Sequence, residues 1–277
     1  MSYAGGGRRE GCVHGVGVGT RGCWDDGGMA SKAVERFASD GVLIAGGARA
    51  ILLQVADPTV AAGVARHSDF AHRPVERLRN TLTFAYAVVL GTPDDVAAVT
   101  AHVRRAHQPV NRATDAELQL WVAATLYDTA VLVHDRVFGE VPVELADELY
   151  RAYTPLGTSL EMPAELWPAG TVGFTAYWDA RVPQLQVTDE ARAIAHDLFA
   201  PVTGPRWLRV ALPTARLLTL DLLPADIRAA YGFEWTARDQ RRARRVWAVI
   251  RFLARVTPHR LRSWPYRHYL KRLRGEG

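Results

Sequence analysis

Three residues in the stretch "RLRNTLTFAYAVVLGTPDDVAAVTAHVRRAH", residues 77 to 107, have types and spacings suited to chemistry. Arg77 and Thr81 are four apart and so stack on one face of a helix, which Phe84, Ala85 and Val88 continue as an apolar stripe. On the next helix Val96, Val99, Val103 and His107 share a stripe, because four residues advance only about 40° around the axis. Arg104 and Arg105 turn away from it, as does His102. His107 is therefore expected to point inward at a helix end, just before the chain turns at Pro109. Taken singly, each residue has an architectural reading. An inward imidazole is commonly a hydrogen-bonded core histidine, and an inward arginine is commonly one half of an ion pair, for which Asp128 is an available partner. Taken together, the three suit a haem, whose iron accepts a neutral imidazole nitrogen and whose propionates attract guanidinium groups bidentately.

Helices must position these side chains, and helix signals follow one another along the chain while period-2 alternation is scarce. The expected fold class is all-α, a single globular domain over residues 29–277 enclosing the haem pocket. The run "GVLIAGGARAILLQVA", residues 41–56, is apolar almost all round and reads as a central helix. Gly46 and Gly47 would let another helix or a planar ligand approach it. Asp57-Pro58 and Thr92-Pro93 each pair an N-cap with a proline at the first helical position, Pro74 can start the helix between them, and Gly91 ends that helix. Thr114 with Glu117 reads as a capping box for "AELQLWVAATLYDTAVLVHDRVF". Further helices are expected over 143–153, 171–182, 189–199 and 206–231. A last one from Thr236 sets Val246, Trp247, Val249, Ile250 and Leu253 against Arg241, Arg244, Arg245 and Arg251.

Composition narrows the classes. At 277 residues, 48% hydrophobic and 23% charged, the chain supplies a sizeable core and is not globally disordered. Both cysteines, Cys12 and Cys23, lie in a glycine-rich stretch without apolar period, so no disulfide framework holds the fold. Residues 1–28 read as a disordered tail or as a start codon placed too far upstream. No apolar region follows Arg8-Arg9, no 18-residue uncharged run exists, and the expected compartment is the cytoplasm. CxxCH, HExxH, Walker A and dinucleotide-binding patterns are absent, and "GVGVGTRG" follows no strand. His67, His72 and His134 fit no standard metal-ligand spacing. Net charge is +5, yet from Arg238 onward thirteen basic residues face Asp239 and Glu276, a local +11. Residues 238–274 read either as a docked terminal helix with solvated arginines or as a peripheral membrane contact. Nucleic acid is not an expected partner, because no recognition motif accompanies the charge.

The segments "ARAILLQVADPTVAAGVARHSDFAHRPVERLRNTLTFAYAVVLG", "VRRAHQPV" and "DAELQLWVAATLYDTAVLVHDRVFG", in that order, resemble the MpaB/rubber-oxygenase catalytic domain. That family is an all-α haem b fold found in latex-clearing proteins and in a fungal enzyme that shortens a farnesyl chain. The resemblance runs from about residue 35 to 260. It implies that Arg77 and Thr81 are the family's Arg-x-x-x-Thr pair beside the haem and that His107 is the proximal iron ligand. Apart from the resemblance, Asp128 is expected as an outer partner of Arg77 or His107 that would fix the imidazole tautomer. Rubber-cleaving members carry a lysine just before the threonine, where this chain has Asn80, and Asp57, Asp69 and Glu76 do not align with their distal glutamate. The resemblance therefore implies a noncovalent haem b enzyme using O2 on a hydrophobic small molecule, such as an isoprenoid-like or lipid C=C compound, rather than polyisoprene cleavage. Two other classes fit the same residues. One is a haem-binding or gas-sensing protein without catalysis, and the other is a cofactor-free helical protein in which Arg77, Thr81 and Asp128 form a polar network.

Overall fold

The computed structural model describes residues 30–67, 74–107, 115–200 and 205–276, and all regular structure among them is helical. In chain order the helices are α1 Lys32–Ala38, α2 Gly47–Val55, α3 Pro58–His67, α4 Pro74–Leu90, α5 Pro93–His107, α6 Ala116–Phe138, α7 Val143–Tyr153 and α8 Pro155–Thr158. They continue as α9 Gly170–Arg181, α10 Asp189–Phe199, α11 Arg206–Leu222, α12 Ala225–Ala230, α13 Ala237–Val256, α14 His259–Arg262 and α15 Trp264–Leu273. Short 3₁₀ turns occupy Gly41–Gly46, Ala164–Leu166 and Val182–Gln184. The glycine-rich N-terminal residues lie outside the described segments.

Local capping chemistry explains most of the starts. Asp57 Oδ1 accepts from the backbone N–H of Thr59 and Val60, at 2.8 and 3.1 Å, and so caps α3. At α5 the Thr92 N–H donates to Asp95 Oδ2 at 2.8 Å while the Asp95 N–H donates to Thr92 Oγ1 at 3.3 Å. Thr236 and Asp239 repeat this reciprocal box at α13. Helix α6 departs from expectation. Its cap is Asp115, whose Oδ1 accepts from the Glu117 N–H at 3.1 Å, and Thr114 lies outside the described residues.

Two expected helices are divided. Residues 41–56 form a 3₁₀ turn and then α2, and the span 206–231 breaks at Leu223, whose ψ of 142° is extended. Pro224 accounts for the second break, since a proline disfavours α geometry in the residue before it. At the first junction Gly46 is required by packing. A Cβ there would lie 2.3 Å from Thr129 Cγ2 and 2.8 Å from Val133 Cγ2, so the chain touches α6 with no room for a methyl group. Helix packing, rather than a planar ligand, uses that glycine.

Helix α6 runs through the centre, against α2 on one side and α7, α8 and α13 elsewhere. Trp121 is fully buried on it, and its indole N–H donates to the Leu53 carbonyl at 3.1 Å. Farther along, Tyr127 packs edge-on against Tyr150, Tyr153 and Phe174, joining α6 to α7 and α9. Each such aromatic contributes on the order of 2 kcal/mol through burial. The chain end is pinned as well. Arg274 donates from two nitrogens to the Asp95 carboxylate, at 3.0 and 2.7 Å, and Arg262 Nε donates to Asp40 at 2.9 Å. No single described helix is long and apolar enough to cross a membrane.

On α13 the expected apolar face is only partly inward. Trp247 is buried and Val246 and Ile250 are half-buried, but Val249 and Leu253 are exposed at 57% and 51%.

Candidate active site

Helices α4 and α5 form an antiparallel hairpin through Gly91, where the Gly91 N–H donates to the Ala87 carbonyl. Arg77 lies fourteen residues before that glycine and His107 sixteen after it. At 1.5 Å of rise per residue both stand roughly 20 Å from the turn, at the same open end of the hairpin. On α4 burial is greatest next to the turn, whereas on α5 it alternates around the axis. Tyr86, Ala87, Val88 and Val89 are all buried near the turn, while residues 75–85 are half-buried or exposed. On α5, Val99 and Thr100 are buried, Val103 is half-buried, and His102, Arg104 and Arg105 are exposed. Arg104 pairs with Glu161 at 3.0 Å.

Arg77 is half-buried, and burial pushes its guanidinium below its ordinary value. Thr81 is exposed, which corrects the expectation that it shares an inward face with Arg77. Four-residue spacing puts the two on one side of α4, yet Thr81 is exposed there while Arg77, Phe84 and Ala85 on that side are half-buried. The backbone of His107 ends α5, and its side chain lies outside the described part of the structure.

Asp128 is not placed with this group. Its Oδ2 stands 2.7 Å from Arg49 Nη2, so the expectation that it partners Arg77 or His107 is corrected. Arg49 is 3% exposed and spends its guanidinium across three helices. Nε donates to the Leu222 carbonyl at 2.8 Å, Nη1 donates to Thr129 Oγ1 at 2.6 Å, and the ring of Trp178 lies 5.8 Å from Cζ. Arg49 is the lone charge within an otherwise apolar run, and that pattern is its signal in the sequence, because such a charge must find partners inside. Its complete set of contacts makes it a pin between α2, α6 and α11. Burial pushes the Asp128 carboxyl up, and Arg49 opposes that shift.

The other polar candidates are likewise engaged. Asp57, besides capping α3, accepts from Arg181 Nη2 at 2.5 Å, and that guanidinium covers the Trp121 ring at 5.4 Å. His134 stacks between Phe37 and Phe138, at 4.7 and 5.1 Å, with Asp135 beside its Nδ1 at 3.6 Å. Burial lowers its pKa. The side chain of His67, and all of Asp69 and His72, lie outside the described residues. No metal-ligating cluster occurs among the described residues. An open cavity of about 550 Å³ sits between α10, α11 and α13, lined by Arg209, Arg216, Arg242, Leu212 and Trp235, and not by Arg77, Thr81 or His107.

Comparison with known proteins assigns this scaffold. Residues 35–252 match the family described as ER-bound oxygenase mpaB/B'/rubber oxygenase, catalytic domain. The chain belongs to the MpaB/rubber-oxygenase family. Two mycobacterial relatives, Mb2261 of Mycobacterium bovis and Rv2237 of Mycobacterium tuberculosis, are each 33% identical over 239 residues. Each alignment covers 79% of this chain and 92% of the relative. No solved structure matches the chain significantly. The match begins within α1 and ends within α13, so this oxygenase catalytic domain contains the α4–α5 hairpin, the Arg49 pin and the central α6.

Proposed function

We propose that this oxygenase domain binds haem b noncovalently at the open end of the α4–α5 hairpin and uses O2 to oxidise a hydrophobic small molecule. What supports the reading is that Arg77, near the start of α4, and the last residue of α5, His107, belong to the same open end of the hairpin in a domain of an oxygenase family. The residues fit the group. Arg77, half-buried at that end, is a residue type that pairs bidentately with a propionate carboxylate. His107 is the last residue of α5, at the hairpin end that also carries Arg77. Haem b bound there supplies the O2 and electron chemistry, which the protein directs.

The chain's own residues then have distinct tasks. His107 would hold the haem iron, Arg77 would bind a propionate, and Thr81 would offer a hydroxyl to the bound group. Asp128 takes no part, since Arg49 holds it. Asp57 is occupied by its cap and by Arg181, which leaves it unsuited as a proton acceptor for substrate. The substrate class is an unsaturated lipid or isoprenoid-like compound, oxidised in the cytoplasm and reached from a membrane surface through residues 238–274.

The test is incubation of haem-loaded protein with a panel of unsaturated fatty acids and terpenoids under isotopically labelled O2. The expected result is a product carrying label, lost in the absence of O2. Haem-loaded protein that consumes no O2 with any of these compounds contradicts the oxygenase assignment.

A further inference from the structure

Helix α13 carries two apolar stripes, and only one of them is used by the core. Ala243, Trp247 and Ala254 are buried, with Val246 and Ile250 half-buried beside them, and this face packs on α6 and α11. On the opposite side Val249, Phe252, Leu253 and Val256 recur at i, i+3, i+4 and i+7, and are exposed at 57%, 63%, 51% and 58%. Beyond the helix end, Leu261 and Trp264 are also exposed, at 65% and 57%, with Trp264 stacked on His268. A helix with one face already docked ordinarily turns polar residues outward, so four apolar side chains in register on the outer line call for a partner.

The surrounding charge identifies its chemistry. At about 100° per residue, Arg238, Arg242 and Arg245 lie on the same outward line as the stripe, one to three turns toward the N-terminus. Arg255 and Arg260 flank its other end. Among the described residues none of Arg242, Arg245, Arg255 and Arg260 forms an ion pair with an acid. Against the local +11, a second copy of this face would be repelled. An acidic bilayer offers both hydrocarbon for the stripe and phosphates for the arginines.

We infer that Val249, Phe252, Leu253, Val256, Leu261 and Trp264 form a membrane-docking face that seats the protein on an anionic lipid surface. Helix α13 lies in the interfacial plane with the stripe sunk to the acyl boundary and Trp264 at headgroup level. This deepens the membrane contact in the proposed function, but it rests on exposure and charge and does not need haem. The face brings the domain to the phase in which an apolar substrate dissolves.

The experiment is co-sedimentation of the full chain with vesicles of phosphatidylcholine alone and of phosphatidylcholine with about one-third phosphatidylglycerol. Binding is expected to be at least about tenfold tighter to the anionic vesicles and to weaken with salt. F252S/L253S, at exposed positions that spare the core, should lose at least about tenfold while keeping the parent's far-ultraviolet circular dichroism and thermal midpoint. R242Q/R245Q/R255Q should lose the preference for phosphatidylglycerol. Equal binding of F252S/L253S and parent, or no binding by the parent, overturns the inference. A parent that dimerises in solution through this face, with F252S/L253S monomeric, also overturns it in favour of a second copy. Protein that carries haem but does not sediment would sink the docking face and leave the haem site standing, whereas sedimentation without haem uptake would do the reverse.

Discussion

Replacing Arg49 by methionine tests the reading of the central polar pin. The substitution keeps much of the stem volume and removes a guanidinium that reaches the Leu222 carbonyl, Thr129 Oγ1 and the Asp128 carboxylate. Removing one partner of a buried pair costs about 3–5 kcal/mol, because the remaining charge stays desolvated. Asp128 retains 24% side-chain exposure, so the expected loss is at the low end, about 3 kcal/mol at neutral pH. The pH dependence has a definite sign. Burial already raises the Asp128 carboxyl above 3.8, and loss of Arg49 removes the opposing attraction. The carboxylate then costs stability above its folded pKa, and protonation relieves that cost. The deficit of Arg49→Met relative to the parent should therefore shrink as pH falls toward the carboxylate range. A double variant, Arg49→Met with Asp128→Leu, should recover more than half of the loss, since no unpaired charge is left. Urea unfolding followed by circular dichroism measures all three proteins. An Arg49→Met variant within about 1 kcal/mol of the parent, or a double variant no better than the single, refutes the reasoning.

Gly46→Ala should cost about 1–3 kcal/mol by overpacking against Thr129 and Val133, read as a lower urea midpoint with the same slope. Asp95, held down to about 2 chiefly by the hydrogen bond from Arg274, contributes stability above 3.8 that is lost as pH falls through about 2. Because Arg274 is 37% exposed, Arg274→Ala should cost only roughly 1 kcal/mol at pH 7, and the difference should vanish in acid titrations of the unfolding midpoint. Thr81→Ala should leave stability within about 0.5 kcal/mol, whereas Arg77→Leu should weaken haem retention in a haem-transfer assay, with Arg77→Lys intermediate.

Local signals were legible, and long-range ones were not. The caps at Asp57, Thr92 and Thr236 use partners two or three residues away, so the sequence contains the whole interaction. The all-α class follows from the same repetition of helix starts. Asp128 was assigned to the wrong arginine because its true partner, Arg49, lies 79 residues earlier in an apolar run and only tertiary packing unites them. Thr81 was placed inward because periodicity reports which residues share a face. It does not report the exposure of each position on that face, and on α4 Thr81 is exposed although Arg77, Phe84 and Ala85 on the same side are half-buried. Val249 and Leu253 stand with Trp247 among the apolar residues of α13 in the sequence, and an apolar stripe looks alike whether it meets protein or lipid, which leaves both readings of this helix open until exposure is known. The start of α4, with Arg77, and the end of α5, at His107, fall at one end of the hairpin because its two arms are of near-equal length.

The most direct measurement is a haem titration monitored by the Soret band, with a pyridine haemochrome assay for stoichiometry, on the parent and on His107→Ala. The account predicts one haem b per chain in the parent, with the band lost or shifted in a variant that retains the parent's circular dichroism. A folded parent that acquires no haem, or a His107→Ala variant with the parent's spectrum and affinity, would contradict it.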